Sequence, residues 1–336
     1  MIAYRITTGE GIDAIETAKV GEPSPGPGEV LVELRAASLN YRDLMVAKGG
    51  YPRNDTRPVI PLSDGAGVVA SVGPGVTRWS IGDRVAPNFM RDWISGPITE
   101  HAVRSGLGGG VDGVLAERFV MPERSLVAIP DELSFEEAAT LPCAALTAWN
   151  ALRAAGTTAG DTVLTLGTGG VSMFAVQVAR ALGAVPVITS SSDAKLERAR
   201  AAGAAHTVNY ATTPEWQDEV RAITGGRGVD HVLETGGPGT LERSLASVRV
   251  GGTVSLIGVL ADGHPPSLVP ALLNAVTVRG IYVGSVELFE EMNRAIAANG
   301  IKPVIHETVP FDRAIDAYRA LESQRHVGKI VIIRGG

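Results

Sequence analysis

The chain has 336 residues, 45% of them hydrophobic and 20% charged, with a formal net charge of −6; that length suits two domains with substantial cores. The acidic balance comes without basic runs or interleaved aromatics, which argues against nucleic acid and against cationic attachment to a membrane. Cys143 is the only cysteine, so an intrachain disulfide and a cysteine-built zinc site are excluded.

Residues Met1 to Arg5 lack a signal-peptide pattern, and no apolar run approaches the roughly 20 residues that cross a bilayer, so a cytoplasmic protein without a membrane partner is expected. The first third reads as short strands and tight turns. Glu29 to Ala36 follows the turn Pro25-Gly26-Pro27-Gly28, and Gly67 to Gly73 is a second glycine-bounded strand. The glycine-rich stretch from Ile94 to Gly113 is an irregular excursion, since strand signals resume after it. From Ser134 onward alanine-rich helices alternate with apolar strands, including Val229 to Glu234, Gly252 to Gly258 and Thr277 to Gly284, the pattern of a doubly wound parallel sheet. A helix at Phe311 to Leu321 and a strand at Gly328 to Ile333 close the chain.

Within the alternating part, Thr162 to Leu166 is a short apolar strand followed by Gly167-Thr168-Gly169-Gly170-Val171-Ser172 and a helix to about Leu182. Gly167 permits a tight turn, and Gly169 lets backbone approach a pyrophosphate. The helix N-terminus aims unpaired N–H groups at the phosphates. Ser172 replaces the usual third glycine. The next strand, Val185 to Thr189, ends in Ser190-Ser191-Ser192, where dinucleotide folds commonly carry an acidic residue for the ribose hydroxyls. A carboxylate would repel a 2′-phosphate; serine hydroxyls donate to it, and Lys195 and Arg198 add positive charge. NADPH is therefore expected in preference to NADH. The competing reading of the same residues is a helix N-cap with a solvated lysine.

Ordered motifs span nearly the whole chain: Ser38-Leu39-Asn40-Tyr41-Arg42-Asp43, Gly49-Gly50-Tyr51-Pro52, Asp64-Gly65-Ala66-Gly67-Val68-Val69, Gly82-Asp83-Arg84-Val85, Leu141-Pro142-Cys143, Thr147-Ala148-Trp149, the nucleotide turn and Gly328-Lys329-Ile330. In these the chain resembles the medium-chain dehydrogenase/reductase superfamily, in its zinc-independent, quinone-oxidoreductase-like branch. The resemblance implies a GroES-like β-barrel substrate domain from residues 1–126 and 287–336. A Rossmann dinucleotide-binding domain from residues 127–286 is inserted in it, with the active site in the cleft between them. It also implies a homodimer, paired through the strand around Thr277 to Val283.

By the same resemblance, the positions that bind catalytic zinc in alcohol dehydrogenases are Asn40, Ser63 and Cys143 here, and the proton-relaying hydroxyl is replaced by Arg42. Neutral oxygens beside one thiol are a poor zinc set, so no metal is expected. Without a Lewis acid, simple alcohol oxidation loses its main electrostatic aid. A quinone or α,β-unsaturated carbonyl tolerates that loss, because charge arriving with hydride moves onto oxygen, where a single donor or water stabilises it. Asn40, Tyr41 and Tyr51 are the candidate donors. Asp43 and Asp64 read as supports of the cleft rather than an acid–base pair. Cofactor contacts are expected at Thr147, Gly167 to Ser172, Ser190, Ser191, Lys195, Thr235, Gly236, Ile257, Gly258 and Lys329; Lys329 faces the cofactor phosphate or a neighbouring segment, and a surface salt bridge is the alternative. Most of the six dispersed histidines are expected at the surface or at strand ends. The expected activity is NADPH-dependent, zinc-free hydride transfer to a quinone, enone or similarly activated small molecule. The alternatives are a zinc-independent alcohol dehydrogenase or ketone reductase and a non-catalytic NADPH-binding protein.

Overall fold

A computed structural model describes residues 1–51, 57–258, 263–264 and 267–335. The chain forms two compact units: Met1–Leu146 together with the chain from Val283 on, and Thr147–Tyr282.

The first unit opens with a small antiparallel pair, β1 (Ile2–Ile6) and β2 (Ile15–Lys19). There follow β3 (Glu29–Ser38), α1 (Tyr41–Ala47), β4 (Asp64–Val72), β5 (Arg84–Pro87), α2 (Glu100–Arg104), β6 (Arg118–Pro122), β7 (Leu126–Ala128) and α3 (Phe135–Ala138). β3 organises the sheet because its length lets it pair three ways. β6 takes its first half, Glu29 to Glu33; β4 runs along nearly all of it; and the C-terminal strand pairs with Ala36 to Ser38. Val30, Val32, Leu34 and Leu39 are buried in the core there; a side chain of this kind contributes about 1.5–3 kcal/mol when fully buried. Gly67 is needed where β4 crosses β3, since a Cβ would collide with the Glu33 carbonyl.

The second unit follows a π-helical turn at Leu141–Ala145 and α4 (Leu146–Ala154). It comprises β8 (Thr162–Leu166), α5 (Gly170–Ala181), β9 (Val185–Ser190), α6 (Asp193–Ala201), β10 (His206–Asn209), α7 (Trp216–Ile223), β11 (Val229–Glu234), α8 (Pro238–Ser247), β12 (Val248–Leu256), α9 (Val269–Leu273) and β13 (Thr277–Gly280). All pairings are parallel, in the order β10-β9-β8-β11-β12-β13, which is the expected doubly wound sheet. The order reverses between β8 and β11, and the carboxyl ends of those strands mark the ligand crevice of such folds. The chain then returns to the first unit through α10 (Val286–Asn299), β14 (Ile305–Pro310), α11 (Ala314–Glu322) and β15 (Lys329–Ile333). The resulting seven-stranded sheet runs β14-β15-β3-β4-β5-β7, with β6 beside β3.

Residues 127–146 and 283–286, expected in the dinucleotide domain, group with the first unit instead. Specific bonds hold them there. β7 pairs with β5, Ser38 Oγ donates to the Ala139 carbonyl at 2.9 Å, and Asn88 Nδ2 donates to the Gly284 carbonyl at 3.2 Å. Among the described residues no helix is long and apolar enough to cross a membrane.

Each unit buries an ionisable group, and the two respond to pH in opposite senses. His231 lies inside the parallel sheet at 2% exposure rather than at the surface, because β11 is covered on both faces. Its Nε2 is 2.8 Å from Ser255 Oγ and its Nδ1 is 3.3 Å from Thr157 Oγ1. Burial lowers its pKa from 6.5 to about 4, so its stabilising contribution is complete above 6.5 and is lost as pH falls through about 4. Asp43, in α1, is raised by burial from 3.8 to about 6 against the opposing pull of Arg42. Its contribution is complete below 3.8 and is lost as pH rises through about 6. As pH rises from about 4 to about 7, the stability of wild type relative to His231→Gln should rise by up to about 3 kcal/mol, while that relative to Asp43→Asn should fall by a similar amount. Hydrogen exchange resolved to β11 and to α1 measures both; slopes of the same sign would refute the assignment.

Candidate active site

The dinucleotide end of the second unit is organised by one carbonyl. Leu166, the last residue of β8, accepts from Ser172 Oγ at 2.6 Å and Thr235 Oγ1 at 2.8 Å, tying the first turn of α5 and the end of β11 to the same point. Serine is therefore accommodated at the third glycine position because its hydroxyl is satisfied internally. Gly167 has φ +69°, and open space lies beside both Gly167 and Gly169. Gly169 stands at the N-cap of α5 without a side chain to cap it, and Thr168 is buried beside it. The N-terminal amides of α5, with Gly170 and Val171 in its first turn, present a backbone cradle for an anion.

At the end of β9, Ser190 is buried and Ser191 is exposed. Ser192 occupies the N-cap of α6 but makes no side-chain capping bond, so the capping reading of this serine run is not realised there. Lys195 is half-buried in the first turns of α6, and burial lowers its pKa. Glu234, expected at the dinucleotide edge of its strand to matter through its backbone, also shapes the next turn with its side chain. Its Oε1 accepts from Gly236 N at 2.7 Å, Gly237 N at 2.9 Å and Thr240 Oγ1 at 2.6 Å, and its Oε2 accepts from Ser244 Oγ. The Glu234 carbonyl accepts from the amides of Ile257 at 2.9 Å and Gly258 at 3.1 Å. A Cβ at Gly258 would collide with the Thr235 carbonyl, so backbone packs on backbone at the two strand ends. Thr147 is buried in α4. The glycine cradle, Ser190 with Lys195, and the turns at 235–237 and 257–258 all lie at the carboxyl ends of strands on either side of the order reversal. This arrangement fits a dinucleotide.

In the first unit, Asn40 caps α1: its N–H donates to Asp43 Oδ2 at 2.8 Å and its carbonyl accepts from Asp43 N at 2.9 Å. Arg42 turns inward, donating from one terminal nitrogen to the Leu107 carbonyl at 2.6 Å and to Asp43 Oδ1 at 3.2 Å. Its guanidinium carbon lies 4.6 Å from the Tyr51 ring centroid and 5.1 Å from that of Phe89. Tyr51 is thereby held as one wall of a cation–π stack, and Tyr41 packs against the core. Phe89 and Trp93 are both buried beneath the excursion, where the Trp93 indole donates to the Gly96 carbonyl at 2.9 Å. Substrate selectivity is expected from the loops at residues 51–57, 88–96 and 260–266, and most of the first and third lies outside the described residues.

Leu62 leads into the centre of this site with φ +67°, although it is fully buried and not glycine. The excursion imposes that conformation. Val114 N donates to the Leu62 carbonyl at 3.0 Å, and Gly108 and Gly113 pack so closely on Leu62 backbone that neither has room for a side chain. The turn delivers Ser63 and Asp64, both fully buried. Asp64 Oδ1 accepts from Ser63 Oγ at 2.7 Å and its Oδ2 accepts from Cys143 N at 3.3 Å. Lys329, at 3% exposure, directs its ammonium into the same cluster: it donates to the Leu39 carbonyl at 2.6 Å and to Asn40 Oδ1, and lies 3.5 Å from Asp64 Oδ2. Asp43 and Asp64 each serve these internal partners. Burial, with Asp64 nearby, raises the Cys143 pKa well above that of an ordinary thiol.

Asn40, Ser63 and Cys143 thus converge, and their chemistry does not suit zinc. The amide oxygen already receives an ammonium, the serine hydroxyl is donated to Asp64, and the carboxylate beside them is paired with that same ammonium. No catalytic step is routed through a metal here.

Two family models match: the alcohol dehydrogenase GroES-like domain over residues 26–131 and the zinc-binding dehydrogenase over residues 170–298. A zinc-type alcohol dehydrogenase-like protein of Schizosaccharomyces pombe is 46% identical, covering 96% of both chains. An acryloyl-coenzyme A reductase of Metallosphaera sedula is 30% identical over 94% of this chain and 96% of its own. Among solved structures, an NAD-dependent alcohol dehydrogenase superposes with TM-score 0.91 at 34% identity, covering all of both chains. A quinone oxidoreductase of Pseudomonas syringae and a mycobacterial protein complexed with NADPH each superpose with TM-score 0.83 at 29% identity and 99% coverage of both chains. With its GroES-like unit and its parallel-sheet Rossmann unit, the chain belongs to the medium-chain dehydrogenase/reductase superfamily of oxidoreductases.

Proposed function

We propose that the protein is an NADPH-dependent reductase that works without zinc and delivers hydride to a quinone, an enone or a similarly activated carbonyl compound. The observation that carries this reading is the donor chemistry around Asn40, where an ammonium and internal hydrogen bonds occupy the groups that a Lewis acid would need. When bound, NADPH supplies the hydride. The second unit's task is to hold the dinucleotide through the backbone at Gly167 to Ser172 and the turns at Thr235, Gly236, Ile257 and Gly258, with Thr147 as a further contact. Ser190, Ser191 and Lys195 favour a 2′-phosphate, because hydroxyl donors and a cation stand where a carboxylate would repel it.

The first unit offers Asn40, Tyr41 and Tyr51 as donors to the acceptor oxygen. As hydride arrives at the far carbon of a conjugated acceptor, negative charge collects on that oxygen, and a fixed N–H or O–H donor stabilises it. Protonation by Tyr51 or by water completes the reduction. The similarity to a quinone oxidoreductase and an acryloyl-coenzyme A reductase supports an activated acceptor, and that to a protein complexed with NADPH supports the cofactor. A second reading, reversible oxidation of simple alcohols, is favoured by the similarity to an NAD-dependent alcohol dehydrogenase.

The partner expected besides the substrate is a second copy. β13 is the edge strand of its sheet, and the adjoining segment exposes Leu268, Val269, Leu272 and Leu273, the last two at 78% and 77%. An open strand edge beside apolar side chains suits isologous pairing.

Three outcomes test these assignments. Initial rates across matched quinones, enones, ketones and alcohols should show turnover of conjugated acceptors that a chelator leaves unchanged; a requirement for stoichiometric zinc, or turnover of simple alcohols alone, would overturn the mechanism. NADPH binding without turnover of any acceptor would mark a non-catalytic binding protein. Lys195→Ala should raise KM for NADPH about tenfold and leave that for NADH unaltered, and a wild type that prefers NADH would refute the assignment. Leu272→Asp with Leu273→Asp should convert a dimer to a monomer in light scattering, whereas an unchanged mass would place the interface elsewhere.

A further inference from the structure

The charge that stands among Asn40, Ser63 and Cys143 belongs to a residue nearly 300 positions away from Asn40 in sequence, Lys329, the first residue of β15. Its ammonium has three partners: the Leu39 carbonyl, Asn40 Oδ1 and the Asp64 carboxylate. An ammonium is all donor and no acceptor, so it dictates which end of the Asn40 amide faces it. The oxygen must face the lysine, and Nδ2 must point the other way. That Nδ2 is buried and has no hydrogen-bond partner among the described residues. A buried NH2 group left without an acceptor is costly, about 1–3 kcal/mol, and structures retain such a group where it has a ligand to meet.

We propose that Lys329 is a positioning residue: its buried ammonium locks the Asn40 side chain with Nδ2 facing away from the lysine, making that N–H the donor for the oxygen of the acceptor. The inference rests on the reductase reading above and deepens it, by naming the group that meets the developing oxyanion and the group that orients it. The backbone at Asn40 is fixed by Asp43, so the remaining freedom is the amide flip, and Lys329 removes it. Asp64 in turn fixes the lysine. The positive charge also polarises the amide through its oxygen, which strengthens Nδ2–H as a donor. The acceptor so recognised is a carbonyl or quinone oxygen that gains charge during reduction, whereas an alcohol hydroxyl could accept the same N–H but would find no base in this amide end to take its proton on oxidation.

Two variants and one spectrum test it. Asn40→Asp keeps an oxygen for Lys329 and loses the N–H. Its kcat should fall about 100-fold, the range for one lost oxyanion donor, with melting temperature and NADPH binding preserved. Lys329→Met should lower kcat about 10- to 100-fold, as expected for loss of an orienting partner. In protein labelled with 15N-asparagine, the Asn40 side-chain NH2 pair, assigned by its disappearance in Asn40→Asp, should be a single sharp pair in wild type and should shift or broaden in Lys329→Met. A folded Asn40→Asp variant with wild-type turnover would overturn the donor role. An Asn40 pair unmoved by loss of the lysine would overturn the positioning role. The spectrum needs no turnover, so failure of every acceptor would refute the reductase reading while leaving the orientation of the amide decided on its own.

Discussion

The buried charge group formed by Asp64 and Lys329 is the constraint around which the first unit is arranged. At 0% and 3% exposure neither charge has water to fall back on, and an ionised pair survives such desolvation only when its remaining polar valences are met. Ser63, the Cys143 amide, Leu39 and Asn40 meet them. Those partners come from the end of β3, the start of β4 and the π-helical turn, and Lys329 itself opens β15, so satisfying one carboxylate and one ammonium determines how four segments converge. The left-handed turn at Leu62 is the local cost of bringing Asp64 into that position, and the 106–115 backbone packed on it keeps the turn from relaxing.

The second unit reaches the same end with backbone rather than charge. Its dinucleotide end is set by two strand-end carbonyls, those of Leu166 and Glu234, and by the Glu234 carboxylate, which accepts from two amides and two hydroxyls. A network satisfied this fully is rigid, and rigidity is useful where a flexible cofactor must be held in one extended shape. The two units therefore differ in their physics: one ends in neutral, glycine-lined backbone, and the other places a fixed cation behind a small amide.

Much of this was legible in the amino-acid sequence, and the reason is local pattern. Thr162 to Leu166, the glycine turn and the apolar helix that follows it occupy consecutive residues, so their meaning needs no partner from elsewhere. The parallel sheet could be read from the alternation of helices and strands for the same reason. What escaped depends on distance or on context. The bond from Lys329 to Leu39 spans 290 positions, and nothing near either residue announces the other; the lysine therefore read as facing the cofactor, a neighbouring segment or the surface, with no partner named. His231 looked like a strand-end residue because a polar side chain in a strand usually faces water, yet a strand covered on both faces has no such side. Glu234 carried a faint signal, Thr240 and Ser244 on the following helix, which becomes informative once the turn is known to fold back. The positive φ at Leu62 has no sequence signature, since it is forced by chain that arrives about fifty residues later.

The division of the first unit between both ends of the chain has a temporal side. During synthesis the nucleotide unit, residues 147–282, leaves the ribosome as one uninterrupted piece and can complete its sheet at once. The unit begun before it cannot. β3 waits for β15, and Asp64 and Asn40 wait for Lys329, until the chain beyond the nucleotide unit has been added. The unit that carries Asp64 is thus the later to close, and a nascent chain stalled or truncated before Lys329 holds a finished parallel sheet and a first unit whose Asp64 carboxylate has no cation.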